Sequence, residues 1–133
     1  MTAPYVTRAL IIVDKEVANP NHDRRVKHGE DSLAKLTVGE RLVVSTADYG
    51  THQEVTMRRI GANTSIWKRA FVEAIQANAS PIEPETFAEW AALTGDEGEG
   101  INRRMLEILF QTKPDIVKKA HASAVARYDE FND

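Results

Sequence analysis

The densest group of chemically versatile side chains lies in residues 22–28, whose sequence is HDRRVKH. His22, Asp23 and His28 are residue types that bind divalent metals, and His52 is a further candidate ligand. However, no spacing of the His-Glu-x-x-His kind fixes two of them on one helix face. The three permanent cations between the histidines would also repel a metal ion. We therefore expect a solvated basic segment in a loop or at a strand end, with no bound metal and no cofactor.

The same segment suits contact with an anion, because Arg24, Arg25 and Lys27 carry permanent charge. If the fold places it beside the cations that follow in the chain, the resulting patch would bind phosphate or an acidic protein surface. These further cations are Arg58, Arg59, Lys68 and Arg69. Arg58 and Arg59 are neighbours in a predicted strand and point to opposite faces, so at most one serves the patch. The alternative is a set of cations spread over a solvated surface.

A second candidate contact lies in residues 91–105, AALTGDEGEGINRRM. Ala91, Gly95 and Ile101 have the spacing of a packing alanine, a turn glycine and an aliphatic residue of a second helix. In this spacing the segment resembles the helix-turn-helix family of DNA-binding domains. The resemblance implies that the second helix enters the major groove. It would make three residues the DNA contacts: Asn102, Arg103 and Arg104. The alternative is two ordinary packed helices joined by an acidic turn.

The acidic turn inside this segment carries three carboxylates, Asp96, Glu97 and Glu99. Glycines occupy the intermediate ligand positions that an EF-hand loop would need, so we expect no calcium site. The turn belongs to an acidic half of the chain. Residues 76–133 contain six Lys/Arg and eleven Asp/Glu, whereas residues 1–75 contain eleven and nine. This asymmetry favours a surface that contacts a basic protein partner.

Composition argues against most enzyme chemistry. The chain has no cysteine, which excludes thiolate catalysis, disulfides and cysteine metal sites. It also lacks a nucleophile elbow, a phosphate-binding glycine loop and a dinucleotide fingerprint. The paired carboxylates lie in the acidic turn and the tail, where nothing would desolvate them. No apolar run approaches the roughly 20 residues that span a bilayer. We expect a cytoplasmic protein that contacts no membrane.

The first half of the chain must position the basic residues. Residues 5–17 predict a strand, in which the apolar run 10–13 is covered on both faces. A short helical turn is expected over 32–36, followed by a β-hairpin over 42–60 with its turn at 48–50. A helix should then start at Asn63, Thr64 or Ser65 as the capping residue. One face of that helix should be buried, through Trp67, Phe71, Ala74 and Ile75.

The second half reads as helical. Residues 80–84, SPIEP, predict a helix start with Pro84 at the first position. This helix should bury Phe87, Trp90 and Ala91. A second helix is predicted over 101–112. The residues expected to face inward are Ile101, Met105, Ile108 and Leu109, with Leu106 and Phe110 widening that face. A last helix follows Pro114, with a buried face that contains Val117, His121, Ala124, Val125 and Tyr128.

These elements predict an α+β fold: a small, mostly antiparallel sheet of about three strands with a packed helix, followed by a C-terminal three-helix unit. We expect one domain over 1–133, with 1–79 and 80–133 as candidate subdomains. The predicted function is a non-enzymatic, small regulatory protein that contacts nucleic acid through the basic loop and hairpin. The alternative is a protein-interaction module, such as an inhibitor, adaptor or assembly factor, that uses its acidic helical half or forms a homodimer. A metal-dependent hydrolase or nuclease at residues 22–28 is a distant third.

Overall fold

A computed structural model describes residues 5–29, 33–60, 65–66, 69–94 and 100–132 of the chain. The strands of these residues are β1 Tyr5–Val13, β2 Val17–Ala18, β3 Lys35–Leu36, β4 Arg41–Asp48, β5 Gln53–Arg59, β6 Ser65–Ile66 and β7 Ala79–Ile82. The helices are α1 His22–Lys27, α2 Arg69–Ala77, α3 Phe87–Thr94, α4 Gly100–Thr112 and α5 Pro114–Asn132. Among them, no helix has both the length and the apolar character to cross a membrane.

The predicted α+β class is confirmed. Five strands form an antiparallel sheet in the order β6-β5-β4-β1-β7, while β2 and β3 pair separately. The predicted hairpin is β4 and β5, whose turn contains Gly50 at a φ of +85°, a conformation that glycine adopts without strain. The sheet has more than the expected three strands because the short strands β6 and β7 extend it on either side. The helices α3, α4 and α5 form the predicted C-terminal unit.

The sheet is buried on both faces around β1. Ala9 and Ile11 lie in the larger core cluster with Phe71 and Ile75 of α2. Leu10 points to the opposite face and packs with Val43 and with α3. Successive side chains of a strand alternate between the faces, so a continuous apolar run is what a strand covered on both sides requires. The prediction for residues 10–13 is therefore confirmed.

The predicted helix start at residues 80–84 is wrong. Residues 79–82 form β7 and pair with Leu10–Val13 of β1. The helix begins at Phe87, where Thr86 and Glu89 form a reciprocal capping box. The Thr86 backbone N–H donates to Glu89 Oε1 at 3.2 Å, and the Glu89 N–H donates to Thr86 Oγ1 at 3.3 Å. These bonds satisfy two of the N–H groups that a helix start leaves free, and they set the boundary after Pro84.

Three local predictions in the first half also fail. Residues 22–27 form α1 rather than a loop, with Asp23 in the first turn and cations in the last, as the helix dipole favours. Residues 35–36 form β3 rather than part of a helical turn, because Leu36 pairs with Val17 and is fully buried. Ser65 lies in β6 and does not cap α2. The other two predicted capping residues, Asn63 and Thr64, lie outside the described residues, as does Trp67.

The helix α4 is present as predicted, but its buried face is rotated. Met105 and Ile108 were expected to face inward, and they are 57% and 49% exposed. Phe110, which was expected to widen the inward face, does pack inward, with its ring centroid 6.2 Å from that of Phe87 and 5.9 Å from that of Trp90. Three aromatic rings bury more area than two aliphatic side chains, so they determine the rotation. In α5 the predicted buried positions Val117, His121 and Tyr128 are confirmed.

Candidate functional site

The cations predicted to bind nucleic acid are distributed over several elements. Arg24, Arg25 and Lys27 are exposed on α1, which buries none of its residues. Arg58 instead donates from Nη2 to the backbone oxygen of Ala92 at 3.2 Å, and this bond ties β5 to α3. Its neighbour Arg59 donates to Glu40 Oε1 at 2.6 Å, so the two arginines point apart as expected.

The helix-turn-helix residues are only partly described. Ala91 is buried in α3, and α3 and α4 are the two helices that flank the acidic turn. Arg104 is exposed on α4. Asn102 and Arg103 belong to α4, but their side chains are outside the described part of the structure. The remaining predicted contacts also lie outside it: Lys68, Asp96, Glu97 and Glu99.

The histidines of the first half have separate surroundings. His22 and Asp23 occupy the first turn of α1, and His28 follows its end. His52 lies in the β4–β5 turn, where its ring stacks on that of Tyr49 with centroids 4.8 Å apart. Within the described ranges, no three His, Asp or Glu side chains are grouped so that they could hold a metal ion.

A cleft of about 200 Å³ lies between β1, α3 and α5. We call it the β1–α5 cleft. One wall is the strand segment Val6–Arg8, and α3 contributes Trp90 and Leu93. The other wall is a single face of α5, whose lining residues recur at helical spacing: Val117, Ala120, His121 and Ala124, with Ser123 beside them. The small alanines of this wall leave the space that the cleft occupies.

The edge of β1 in this cleft is bordered by α5 and not by a strand. The N–H of Asp14 donates to the Asn78 oxygen at 2.7 Å on the β7 side, whereas the N–H and C=O of Val13 bond to Glu40 and Gly39 on the β4 side. Backbone groups of successive strand residues alternate between the two edges, so those of Arg8 and Val6 point to the β7 side. β7 ends opposite Leu10. In the described residues, the outward backbone groups of Arg8 and Val6 therefore meet no neighbouring strand.

Pro84 explains why β7 stops. The register pairs Leu10 with Ile82, so the next outward-bonding residue, Arg8, would face Pro84. Proline has no N–H and cannot complete a hydrogen-bonded pair. Pro81 is tolerated because it lies opposite Ile11, whose backbone groups point toward β4. Thus β7 stops before Pro84, and no described strand pairs with Val6 or Arg8 on this side of β1.

Arg8 gives the cleft its charge. Among the lining residues it is the only one with a permanent charge, and no carboxylate accompanies it. Its side chain makes no ion pair or hydrogen bond to any part of the chain that the structure describes. It lies on the same face of β1 as Leu10, two residues away, which is the face covered by α3. The Arg8 guanidinium therefore favours an anionic group beside it.

His121 lies in the α5 wall and links it to β7. Its Nε2 lies 2.7 Å from the backbone oxygen of Ile82, and its ring meets Trp90 edge-on with centroids 5.6 Å apart. With Nε2 donating, the buried Nδ1 has no hydrogen-bond partner among the described residues. Burial lowers the pKa of His121 below its usual 6.5, although the Ile82 bond and Glu83 oppose this shift.

We expect His121 to make the protein less stable in mild acid. Because its pKa is lower in the folded state, its full contribution is present above pH 6.5 and is lost as the pH falls toward the folded pKa. The free energy of unfolding, measured by urea titration from neutral pH to about pH 5, should fall more steeply for the wild type than for His121→Leu. Parallel pH profiles for the two proteins would contradict this assignment.

Sequence reasoning missed the cleft. It placed Val117, His121 and Ala124 on a buried helix face and assigned no role to Arg8. Two signals were present in the sequence: the small residues Ala120 and Ala124 on the face that includes Val117, and a proline two residues after Ile82. Neither signal indicates a cleft until the register of β7 against β1 is known.

No family model, curated protein or solved structure matches the chain.

Proposed function

We propose that the protein is a non-enzymatic protein-interaction module, and that the β1–α5 cleft binds a segment of a partner protein. The observation that carries the proposal is the cleft itself, in which a largely apolar face of α5 lies opposite Val6–Arg8. An apolar groove of this kind receives the apolar side chains of a bound peptide. Val6, at the open end of the cleft, is 44% exposed, so its isopropyl group is available to a partner.

The lining of the cleft supports binding rather than catalysis. Its hydroxyl groups belong to Thr7 and Ser123, and its imidazole belongs to His121. Ser123 lies two positions from His121 on α5, a spacing at which helix side chains do not face each other. His121 also uses Nε2 to bond the Ile82 oxygen. A nucleophile with a base in hydrogen-bond reach is the arrangement that acyl transfer needs, and it is not formed here by these residues.

Peptide selection with a blocked cleft tests the proposal. Random peptides displayed on phage would be selected on the wild-type protein, and the affinity of the enriched peptides would then be measured against Ala120→Trp. The matched control is Ala122→Trp, since both alanines are exposed on α5 and only Ala120 lines the cleft. We expect Ala120→Trp to weaken binding about tenfold or more and Ala122→Trp to leave it unchanged. Failure to enrich any peptide, or equal effects of both tryptophans, would overturn the proposal.

Nucleic-acid binding through α1 is the second candidate. The observation in its favour is that Arg24 and Lys27 are exposed, with no ion pair in the described parts of the chain. Phosphate contacts would make affinity fall steeply with salt. The test is fluorescence anisotropy of random single- and double-stranded probes at low and near-physiological salt. The Arg24→Ala/Lys27→Ala double variant should lose binding, whereas Lys113→Ala/Lys119→Ala, which removes two exposed cations elsewhere, should keep it. Absence of binding at low salt would exclude this candidate.

A further inference from the structure

We infer that the partner segment is anchored in the β1–α5 cleft by a single aromatic side chain, whose ring lies against Trp90 and the α5 wall. This inference rests on the proposed function and specifies which kind of side chain enters the cleft. It depends on three features of the cleft: the volume of the cavity, the exposure of its lining residues, and the rings and charge that the lining contains.

The volume of the cavity limits what can enter it. Sites for drug-sized ligands are typically ~300–1,000 Å³, whereas an apolar protein cavity of ~150 Å³ is large enough to bind benzene. The cleft, at about 200 Å³, therefore has room for one ring. Because α5 packs directly against β1, no strand fits between them, and the main chain of the partner stays outside the cleft.

The exposure of the lining residues shows where the ring enters. Val6, Ala120 and Ser123 are exposed and form the mouth of the cleft. Trp90 and Val117 are buried and form its floor. A side chain that passes between β1 and α5 therefore leaves water as it reaches the floor, and the gain in free energy grows with the apolar area that it buries. This arrangement suits one large apolar group.

The rings in the lining favour an aromatic anchor over an aliphatic one. Trp90 and His121 both line the cleft, and their rings already meet edge-on with centroids 5.6 Å apart. A ring from the partner can add a further edge-to-face contact, for which centroids lie ~4.5–7 Å apart, beyond the benefit of the area that it buries. A leucine or isoleucine of the partner would gain only the buried area.

Charge complementarity disfavours a basic anchor. Among the described lining residues Arg8 is the only one with a permanent charge, and it would repel a lysine or arginine side chain. The face of an aromatic ring is negative and attracts a guanidinium, whether or not that guanidinium has another partner. A carboxylate would also be attracted to Arg8, but it would be costly to bury beside Val117 and the alanines of α5. A neutral ring satisfies both conditions.

The test starts from the peptides that are selected on the wild type and lose affinity in Ala120→Trp. An alanine scan of each peptide should find one Phe, Tyr or Trp whose loss weakens binding about tenfold or more. Cyclohexylalanine at that position has nearly the volume of phenylalanine but no aromatic system, and it should weaken binding about threefold or more. Lysine there should abolish binding.

Methyl signals of alanine in the NMR spectrum locate the ring directly. An aromatic ring shifts the signals of methyl groups close to it, so the Ala120 and Ala124 signals should shift with a phenylalanine peptide and shift less with its cyclohexylalanine counterpart. Ala122, which lies on α5 but does not line the cleft, is the matched control and should not shift.

The outcomes separate this inference from the proposed function. Cleft-dependent peptides that contain no aromatic anchor, or that bind equally well with leucine, cyclohexylalanine or lysine in its place, would overturn the inference and leave the proposed function standing. A ring-dependent shift at Ala122 in place of Ala120 and Ala124 would also overturn it. If Ala120→Trp weakens the binding of no peptide, the proposed function itself fails.

Discussion

Replacement of Leu10 by alanine should lower the free energy of unfolding by about 3 kcal/mol, within the range of ~2–5 kcal/mol for large-to-small changes in a core. Leu10 is fully buried on the α3 face of β1, where it packs with Val43 and Ala92. Its neighbours are held by the hydrogen bonds of β4 and β7 on either side, so they cannot move far to fill the space. The loss of packing contacts and the cost of the remaining cavity therefore both lower the free energy of unfolding.

Urea unfolding followed by circular dichroism measures this change. The control is Val38→Ala, which also removes methyl groups but at a position that is 65% exposed; we expect a change within about 0.5 kcal/mol. Similar losses for the two variants would show that the α3 face of the sheet is not a packed core. Both variants should remain folded at neutral pH, which allows the comparison.

The central part of the sheet was predictable because its signals are local. The run of β-branched residues in β4, the alternation in β5 and the glycine turn between them each lie within a few residues of one another. The apolar run of β1 likewise indicates burial on both faces without knowledge of what covers it. Such patterns reflect the geometry of a strand itself, so the strands predicted from them are found in the structure.

β7 was not predictable in this way. Two prolines close together favour a break in the chain, and Pro84 at a helix start was a reasonable expectation. What makes a strand here is pairing with Leu10–Val13, far away in sequence, in a register that places Pro81 where no N–H is needed. A local pattern contains no information about that register.

The helices show the same limit in another form. The bounds of α4 follow from its sequence, but the direction in which Met105 faces depends on whether aromatic residues of α3 attract Phe110. By contrast α1 had a usable local signal, since Asp23 precedes three cations in the order that a helix dipole prefers. That signal was outweighed by the polarity of the segment.

The cleft could not have been found from sequence because its parts come from three distant elements. Arg8, Trp90 and Ala120 meet only after β1, α3 and α5 have packed. The neighbouring strand β7 also ends before it reaches Arg8, at a proline that no short-range pattern relates to β1. The predicted basic patch rested on amino-acid composition. Composition does not show which cations form hydrogen bonds inside the folded protein, as Arg58 does with the backbone oxygen of Ala92.

The other prediction with a large effect concerns Glu89. Glu89→Ala should lower the free energy of unfolding by about 2–3 kcal/mol. Its side chain is 4% exposed, and Oε1 accepts bonds from the backbone N–H groups of Glu85 and Thr86 at 3.1 and 3.2 Å. Oε2 lies 3.6 Å from Nη1 of Arg41. Alanine would leave the N–H groups at the start of α3 without their acceptor and would remove the buried partner of Arg41.

Two variants separate these contributions in chemical denaturation. Glu89→Gln keeps an acceptor for the helix start but removes the charge, so it should lose only part of the stability that Glu89→Ala loses. Glu85→Ala removes the exposed carboxylate that also binds Arg41, at 3.1 Å, and should change the free energy of unfolding by less than about 1 kcal/mol. If Glu85→Ala and Glu89→Ala were equally harmful, the surface ion pair, and not the buried capping carboxylate, would fix α3 against the sheet. The position of Trp90 in the cleft wall would then depend on a solvated ion pair, which salt weakens.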